Sequence, residues 1–285
     1  MSEQQSSVTP PATQVSDRID TTRPHSARFW NYFVGGKDNY EVDREIGDQI
    51  KTFFPGLVDV AVAGRQFLRR SVSHLVEDRG VRQFLDIGTG LPTADNTHQV
   101  AQDIAPESRI VYVDNDPLVL AHARALLTSS PEGVTNYIDA DLYEPDVILA
   151  EAAKTLDFDR PVALMLLGIL GHAGDFSRAR EVVGRLMAGL PSGSHLVVYD
   201  GTRTSEGMIA AEKAYIESGA VPYFVREPSE IVTLFDGLRI LDPGFVRLSE
   251  WRPDADSASV PADVEMPSVE SASRSDARAL PQACM

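Results

Sequence analysis

The sequence has little cysteine and no long apolar segment. Of its 285 residues only Cys284 is a cysteine, so neither a disulfide framework within one chain nor a cluster of thiolate metal ligands is expected. No run approaches the roughly 20 apolar residues that cross a bilayer, and no basic segment followed by an apolar one predicts a secretory signal. These absences predict a cytoplasmic protein that does not enter the membrane.

Basic residues are also scarce. The chain carries 26 lysines and arginines against 42 aspartates and glutamates, which gives a net charge of −16. Most of this excess lies between residues 25 and 253. Because an acidic surface repels phosphate backbones, general nucleic-acid binding is not expected. The composition carries no indication of an oligomeric state.

Composition and hydrophobic spacing divide the chain into four parts. Residues 1–20 and 254–285 are rich in small polar residues and proline, and they predict a disordered lead-in and a disordered acidic tail. Residues 21–80 predict a helical N-terminal extension, because apolar residues recur there at helical spacing. Residues 81–253 predict a single α/β domain that binds the ligand.

Short apolar runs alternate with helix-like segments within the α/β domain. The runs predict five strands, at 81–87, 109–113, 134–138, 161–167 and 194–199. Such alternation is typical of a Rossmann-like fold, a mostly parallel sheet with helices on both faces. Two further runs, Gly237–Leu241 and Gly244–Trp251, flank the turn sequence Asp242-Pro243 and predict an antiparallel hairpin at one edge of the sheet.

The loop after the first predicted strand combines a carboxylate, Asp86, with the glycines Gly88 and Gly90. Glycines at this place permit a tight turn and let the backbone approach a ligand. A dinucleotide-binding loop would carry a third glycine where this chain has Thr93. In addition, Asp86 would repel a pyrophosphate seated at the following helix N-terminus. The pattern therefore favours a ligand with an amine or a sulfonium, such as S-adenosylmethionine, over a dinucleotide.

The second predicted strand ends at Asp114, which lies 24 residues after Gly90. An acidic residue at this place can accept hydrogen bonds from both hydroxyls of a ribose. Both NAD and S-adenosylmethionine contain ribose, so Asp114 predicts a nucleoside without choosing between them. Asp86 makes that choice.

Three parts of the sequence resemble the bacterial S-adenosyl methyltransferase family that was once filed as a domain of unknown function, within the class I methyltransferases. They are SARFWNYFVGGKDNY at 26–40, FLDIGTGLPT at 84–93 with YVDNDP at 112–117, and FDGL at 235–238 with WRP at 251–253. The resemblance spans about residues 18–253. It implies a Rossmann-like class I fold that binds S-adenosylmethionine, releases S-adenosylhomocysteine and carries a helical N-terminal extension, and it names no methyl acceptor.

The resemblance also implies contacts along the whole cofactor, from its amino group through the methionine part and ribose to the adenine, and then beneath the sulfonium. The amino group would meet Asp86, the methionine part would meet Gly88, Thr89 and Gly90, and the ribose would meet Asp114. The adenine would meet Asn115, Asp141 and Leu142, and Gly168 and Ile169 would lie beneath the sulfonium. Asp139 is the alternative to Asp141. Pro92 stands where related loops carry a glycine and removes one backbone donor, so Thr89 or a side chain nearby has to replace it.

The segment from Gly35 to Tyr40 predicts a lid over the cofactor, with Arg28, Tyr32 and Asn39 in contact with it. Two adjacent glycines allow a close approach, and the resemblance is dense in this stretch. The alternative is a plain turn between two helices.

One residue after the fourth predicted strand and one after the fifth are candidate general bases. A neutral His172 or an ionised Asp200 could take a proton from an acceptor. The alternatives are that His172 orders its own loop and that Asp200 caps the following helix. Histidine and cysteine show no metal-binding spacing, so no metal is predicted.

Taken together, these patterns predict an S-adenosylmethionine-dependent methyltransferase that acts on a small-molecule acceptor. Two alternatives remain. One is a non-catalytic module that binds S-adenosylmethionine or S-adenosylhomocysteine and acts through a partner protein. The other is a nicotinamide-linked oxidoreductase, which the position of Asp86 disfavours.

Overall fold

The structure, a computed structural model, describes residues 19–126, 128–254 and 267–274. The predicted lead-in up to residue 18 and the greater part of the predicted acidic tail lie outside these residues. In the described part, no helix is long and apolar enough to cross a membrane.

The N-terminal extension is helical, as the apolar spacing predicts. It consists of α1 (Ser26–Phe33), α2 (Glu41–Phe53) and α3 (Leu57–Glu77). Gly35 follows α1 with a φ of +78°, a left-handed conformation that lets the chain leave the helix. The Asp43 carboxylate accepts the Tyr40 N–H at 2.9 Å and so satisfies one of the free donors at the start of α2.

Parallel strands form the centre of the sheet, in the order β3-β2-β1-β4-β5. They are β1 (Gln83–Ile87), β2 (Arg109–Asp114), β3 (Val134–Asp139), β4 (Ala163–Leu167) and β5 (His195–Tyr199). The helices that connect them are α4 (Thr97–Ile104), α5 (Pro117–Leu126), α6 (Pro145–Ala152) and α7 (Phe176–Gly189). This arrangement confirms the Rossmann-like class I fold.

The far edge of the sheet differs from the predicted hairpin. After α8 (Glu206–Glu217) and α9 (Pro228–Ile231), the chain forms β6 (Leu238–Ile240) and β7 (Phe245–Arg247). Both strands pair antiparallel with β8 (Pro267–Arg274), which lies between β5 and β6 in the sheet. The prediction of a β6–β7 hairpin is therefore wrong, although the antiparallel edge is confirmed.

Strand β8 also lies inside the segment that the composition predicts to be a disordered tail. Its sequence, PSVESASR, lacks the apolar alternation from which a strand is recognised. The backbone of β5 offers unpaired donors and acceptors along its open edge, and β8 pairs with them. Pairing of its backbone with the sheet accounts for a strand in this sequence.

The sheet is covered on both faces, and this explains why its strands consist of continuous apolar residues. In β4, Ala163 and Met165 join the core that contains α1 to α4 and α8, whereas Leu164 and Leu166 join the core beneath α6 and α7. Since each successive side chain meets a different helical layer, every position is apolar.

The strand order reverses at β1, because β2 and β3 extend the sheet on one side and β4 and β5 on the other. In open parallel sheets such a reversal leaves a crevice beyond the carboxyl ends of the strands, where ligands bind. The loops after β1, β2 and β4 meet at this point.

Candidate functional site

A cavity of about 370 Å³ lies at the carboxyl ends of the parallel strands. The loops after β1 to β4 form its floor, and α1 and α3 cover it from the other side. This volume is within the range of about 300–1,000 Å³ that is typical of small-molecule sites. Ten of the predicted site residues line it: Gly88, Thr89, Gly90, Asp114, Asn115, Asp141, Leu142, Gly168, Ile169 and His172.

The glycine loop adopts backbone conformations that favour glycine. Gly88 and Gly90 have φ values of +75° and +64°. A Cβ atom at Gly88 would lie 2.6 Å from Cγ1 of Ile169, which is closer than the two groups can approach. The same Cβ at Gly90 would meet no atom within 4 Å. The loop is therefore tight against β4 at its first glycine and open at its second.

Asp114 is anchored by backbone donors on both of its oxygens. Oδ2 accepts the Gly90 N–H at 3.0 Å, and Oδ1 accepts the Asp116 N–H at 2.9 Å. Burial raises the pKa of this carboxyl, in spite of the two hydrogen bonds that lower it. Each oxygen keeps a further lone pair, so Asp114 can accept the two hydroxyls of a ribose, as the sequence predicts.

The loop after β3 lies beside Asp114. The Asn115 Nδ2 donates to Asp141 Oδ2 at 3.1 Å, and both residues line the cavity together with Leu142. Asp139, the alternative to Asp141, is exposed and is not among the described residues that line the cavity. The geometry favours Asp141 for the adenine end.

Asp86 lines a second, smaller cavity of about 60 Å³ beneath the glycine loop. Gly88, Thr89 and Gly90 line both cavities, so the two spaces adjoin. The Asp86 side chain is buried and accepts the Thr97 hydroxyl at 2.6 Å. Burial raises the pKa of Asp86 to about 6. A buried carboxylate without an ion pair in the described residues is suited to meet a cationic group of a ligand.

Three of the predicted contacts lie elsewhere. Arg28 donates through Nε to Asp43 at 2.8 Å, Tyr32 donates to Asp48 at 2.5 Å, and Asn39 donates to Asn31 at 2.9 Å. In the described residues none of the three lines the cavity.

The reason is the helical period of the segment around α1. The residues of this segment that line the cavity are His25, Ser26, Ala27, Trp30, Asn31 and Val34. Positions spaced by three and four share one helix face, so Arg28 and Tyr32 point away from it. The segment after α1 folds back on Asn31, whose Oδ1 accepts the Asp38 N–H at 3.0 Å. The N-terminal extension thus covers the cavity with α1 and α3. The segment from Gly35 to Tyr40, which the sequence predicts to be the lid, lines neither cavity among the described residues.

The two candidate bases have different surroundings. His172 lines the cavity, and its Nδ1 lies 2.9 Å from the carbonyl oxygen of Pro222. A carbonyl only accepts, so Nδ1 carries the hydrogen and Nε2 keeps a lone pair. Nε2 is buried and has no partner in the described part of the chain. Burial lowers the pKa of His172, which favours the neutral ring.

Asp200 is fully buried behind this histidine and does not line the cavity, as far as the described residues show. Its Oδ1 accepts the Tyr223 hydroxyl and, at 3.0 Å, the Gly201 N–H. Burial raises the pKa of Asp200 to about 6. The Tyr223 ring in turn packs edge-on against His172, with 5.1 Å between ring centroids. Asp200 therefore supports the wall on which His172 lies and has no direct access to an acceptor.

Sequence reasoning missed two residues with nitrogen-bearing side chains that line the cavity, His25 and Arg65. The His25 Nδ1 lies 2.9 Å from Asp116 Oδ2, which joins the N-terminal extension to the loop after β2. Arg65 lies on α3, distant in sequence from the glycine loop that it faces. No motif marks either residue. Among the described residues, no group of three or more histidines, cysteines and acidic side chains could hold a metal ion.

Comparison with known proteins agrees with this geometry. A family model described as S-adenosyl methyltransferase matches residues 12–275. A DUF574 family protein from Streptomyces avermitilis is similar at 41% identity and a TM-score of 0.87, over 90% of this chain and 100% of that one. A candidate methyltransferase from Thermobifida fusca is similar at 35% identity and a TM-score of 0.81, over 94% of this chain and 99% of that one. The curated proteins contain no match.

Replacing Gly88 with alanine should weaken S-adenosylmethionine binding roughly tenfold or more, because the added methyl group displaces Ile169, and overpacking costs about 1–3 kcal/mol. Gly80→Ala is the matched control. Gly80 also has a positive φ, +67°, but a Cβ there meets no atom within 4 Å. Both variants should lose about 1–2 kcal/mol of unfolding free energy from left-handed strain. Equal affinities of the two variants in calorimetry would contradict the prediction.

The affinity for S-adenosylmethionine should rise with pH through the pKa of Asp86. Below about pH 6 the carboxyl is protonated and has to release its proton before it can pair with the ligand ammonium. The affinity should therefore increase up to about tenfold per pH unit below pH 6 and level off above it. Asp86→Asn should bind more weakly and lose most of this slope. Asp114 is present in both proteins, so an unchanged slope in the variant would show that Asp86 is not responsible.

Proposed function

The chain belongs to the S-adenosyl methyltransferase family, and from this membership we propose that it transfers the methyl group of S-adenosyl-L-methionine to a small molecule and releases S-adenosyl-L-homocysteine. The observation that carries this proposal is the pair of carboxylates, the buried Asp86 and the half-buried Asp114, on either side of the glycine loop. A cytoplasmic location, which the scarcity of cysteine favours, belongs to the same proposal.

The residues of the two cavities fit this cofactor better than a dinucleotide. Asp114 with Asn115 and Asp141 would hold the adenosine part, and Asp86 would hold the amino group. A pyrophosphate at the glycine loop would instead meet the negative charges of Asp86 and Asp114. Burial raises the pKa of both carboxyls, so an approaching cation, and not an anion, relieves the cost of burying their charge.

When bound, the cofactor supplies an electrophilic methyl group on a sulfonium. The chain's own contribution is to align an acceptor with that group and to exclude water. Gly168 and Ile169 form the floor after β4, and Trp30 and Val34 of the N-terminal extension form the opposite wall. In-line transfer of the methyl group needs no further catalytic group, apart from one that removes a proton from the acceptor.

His172 would remove that proton. Its Nδ1–H is held by the Pro222 carbonyl, so the lone pair of the buried Nε2 is the basic site of a residue that lines the cavity. Burial keeps the ring neutral near pH 7 by lowering its pKa. Asp200 acts only indirectly in this proposal, by fixing Tyr223 behind the imidazole ring.

The walls that remain for an acceptor are mainly apolar. Trp30, Val34, Val60 and Val221 line the cavity besides the residues assigned to the cofactor. A small, largely apolar molecule with a hydroxyl, amine or carbon nucleophile fits such a wall better than a phosphorylated one.

Titration calorimetry with S-adenosylmethionine, with NAD⁺ as the control, tests the cofactor. We expect micromolar binding of S-adenosylmethionine and S-adenosylhomocysteine and none of NAD⁺. Binding of NAD⁺ alone would overturn the proposal in favour of an oxidoreductase. Transfer of a labelled methyl group to small apolar molecules then tests turnover. Tight binding without any transfer, together with a partner protein that binds only the loaded form, would favour the non-catalytic module.

Replacing His172 with glutamine should lower the methyl-transfer rate about 100-fold, at the low end of the range for general bases. Glutamine can still accept a hydrogen bond but takes up no proton. Cofactor affinity should stay within about threefold, because the imidazole lies on the acceptor side. His122→Gln on α5, a half-buried histidine outside both cavities in the described part of the chain, is the matched control. A rate as high as that of the control, with an unchanged pH profile, would exclude His172 as the base.

A further inference from the structure

We propose that Arg65 binds the carboxylate of the methionine part of the cofactor, opposite Asp86, which takes the ammonium. This inference rests on the proposed function, because it concerns the same ligand. The two side chains form a clamp that recognises the intact amino acid end of the cofactor. Asp86 binds its positive group, and Arg65 binds its negative group.

The position of Arg65 is the first observation. The residue lies on α3, and it lines both the large cavity and the small one. The small cavity also contains Asp86, Gly88 and Gly90, so it is the space next to the glycine loop on the α3 side of the sheet. A ligand that extends from the large cavity past the glycine loop enters this space.

The hydrogen bonds of Arg65 are the second observation. Its Nη2 donates to the carbonyl oxygens of Ala94 at 2.7 Å and Asp95 at 2.9 Å. These bonds hold the guanidinium in one orientation. Its Nε is buried and has no partner in the described residues. A buried guanidinium donor without an acceptor is costly, and a carboxylate is the acceptor that matches it best.

The third observation is the balance of charge across the small cavity. Arg65 lies close enough to Asp86 that its charge opposes the rise in the carboxyl pKa that burial causes. Yet the two residues form no ion pair in the described part of the chain. An amino acid group between them gives each charge its own partner, with the ammonium on Asp86 and the carboxylate on Arg65.

Pro92 explains why a side chain is needed here. It lines the small cavity and lacks the N–H that a glycine at this place would offer to a carboxylate. Arg65 supplies the missing donor together with a positive charge. The clamp therefore distinguishes ligands by their carboxylate, and it holds the product S-adenosylhomocysteine as well as S-adenosylmethionine.

The test compares S-adenosylmethionine with its decarboxylated analogue, which keeps the ammonium, the sulfonium and the adenosine. Calorimetry on the full chain should show that the wild-type protein prefers S-adenosylmethionine by roughly 10- to 100-fold, the equivalent of a charge-assisted hydrogen bond. Arg65→Gln should reduce this preference to about threefold or less, mainly because the variant binds S-adenosylmethionine more weakly. Arg69→Gln, one turn further along α3, is the matched control, because Arg69 pairs with Asp254 at 2.6 Å instead. It should keep the wild-type preference.

The ratio of the two affinities separates the clamp from a structural effect. If Arg65 only tethers the loop at Ala94 and Asp95, the variant weakens both ligands equally and keeps the preference, and this result would overturn the inference. A wild-type protein that binds both ligands with equal affinity would also overturn it while leaving the proposed function intact. A wild-type protein that binds neither ligand would overturn the proposed function itself.

Discussion

Two carboxylates at the carboxyl edge of the sheet, the buried Asp86 and the half-buried Asp114, are the constraint on which the rest of the site depends. Asp86 and Asp114 have raised pKa values because burial removes them from water, and hydrogen bonds from Thr97 and from two backbone N–H groups offset only part of that cost. In the described residues neither carboxylate has an ion-pair partner. The adjoining cavities are therefore favourable for a cationic ligand, and the family of the chain identifies that ligand as S-adenosylmethionine.

The N-terminal extension completes this site rather than standing beside it. Its helix α1 covers the large cavity with Ala27 and Trp30, Val34 follows directly after the helix, and α3 brings Arg65 to the glycine loop. Some other polar residues of the extension bond to each other, as Arg28 does with Asp43, and His25 bonds to Asp116 of the α/β domain. In the proposed reaction this cover excludes water from the reacting centre. Arg65 adds a fixed positive charge where the ligand carries its carboxylate.

The acceptor side depends on a second buried group. Asp200 and Tyr223 are hydrogen-bonded behind His172, and the Pro222 carbonyl fixes which nitrogen of His172 carries its hydrogen. The loop around Tyr223 and the loop after β4 thus set the protonation of the imidazole together. One base candidate supports the other, although the sequence presents them as equals.

The central fold and the cofactor side of the site follow from the sequence, because their signals are local. A strand buried on both faces is a continuous apolar run, and Asp86 and Asp114 stand near the carboxyl ends of two such strands, so parallel pairing brings them to one edge. Strand β8 and the contacts of Arg65, His25 and His172 depended on the tertiary structure. β8 exists through pairing with the open edge of β5, and Arg65 reaches the glycine loop only because α3 packs across it. The sequence by itself determined which residues end the strands, whereas the packing of distant segments decided which helix face covers the cavity and which charges meet there, since such contacts leave no period or spacing in the chain.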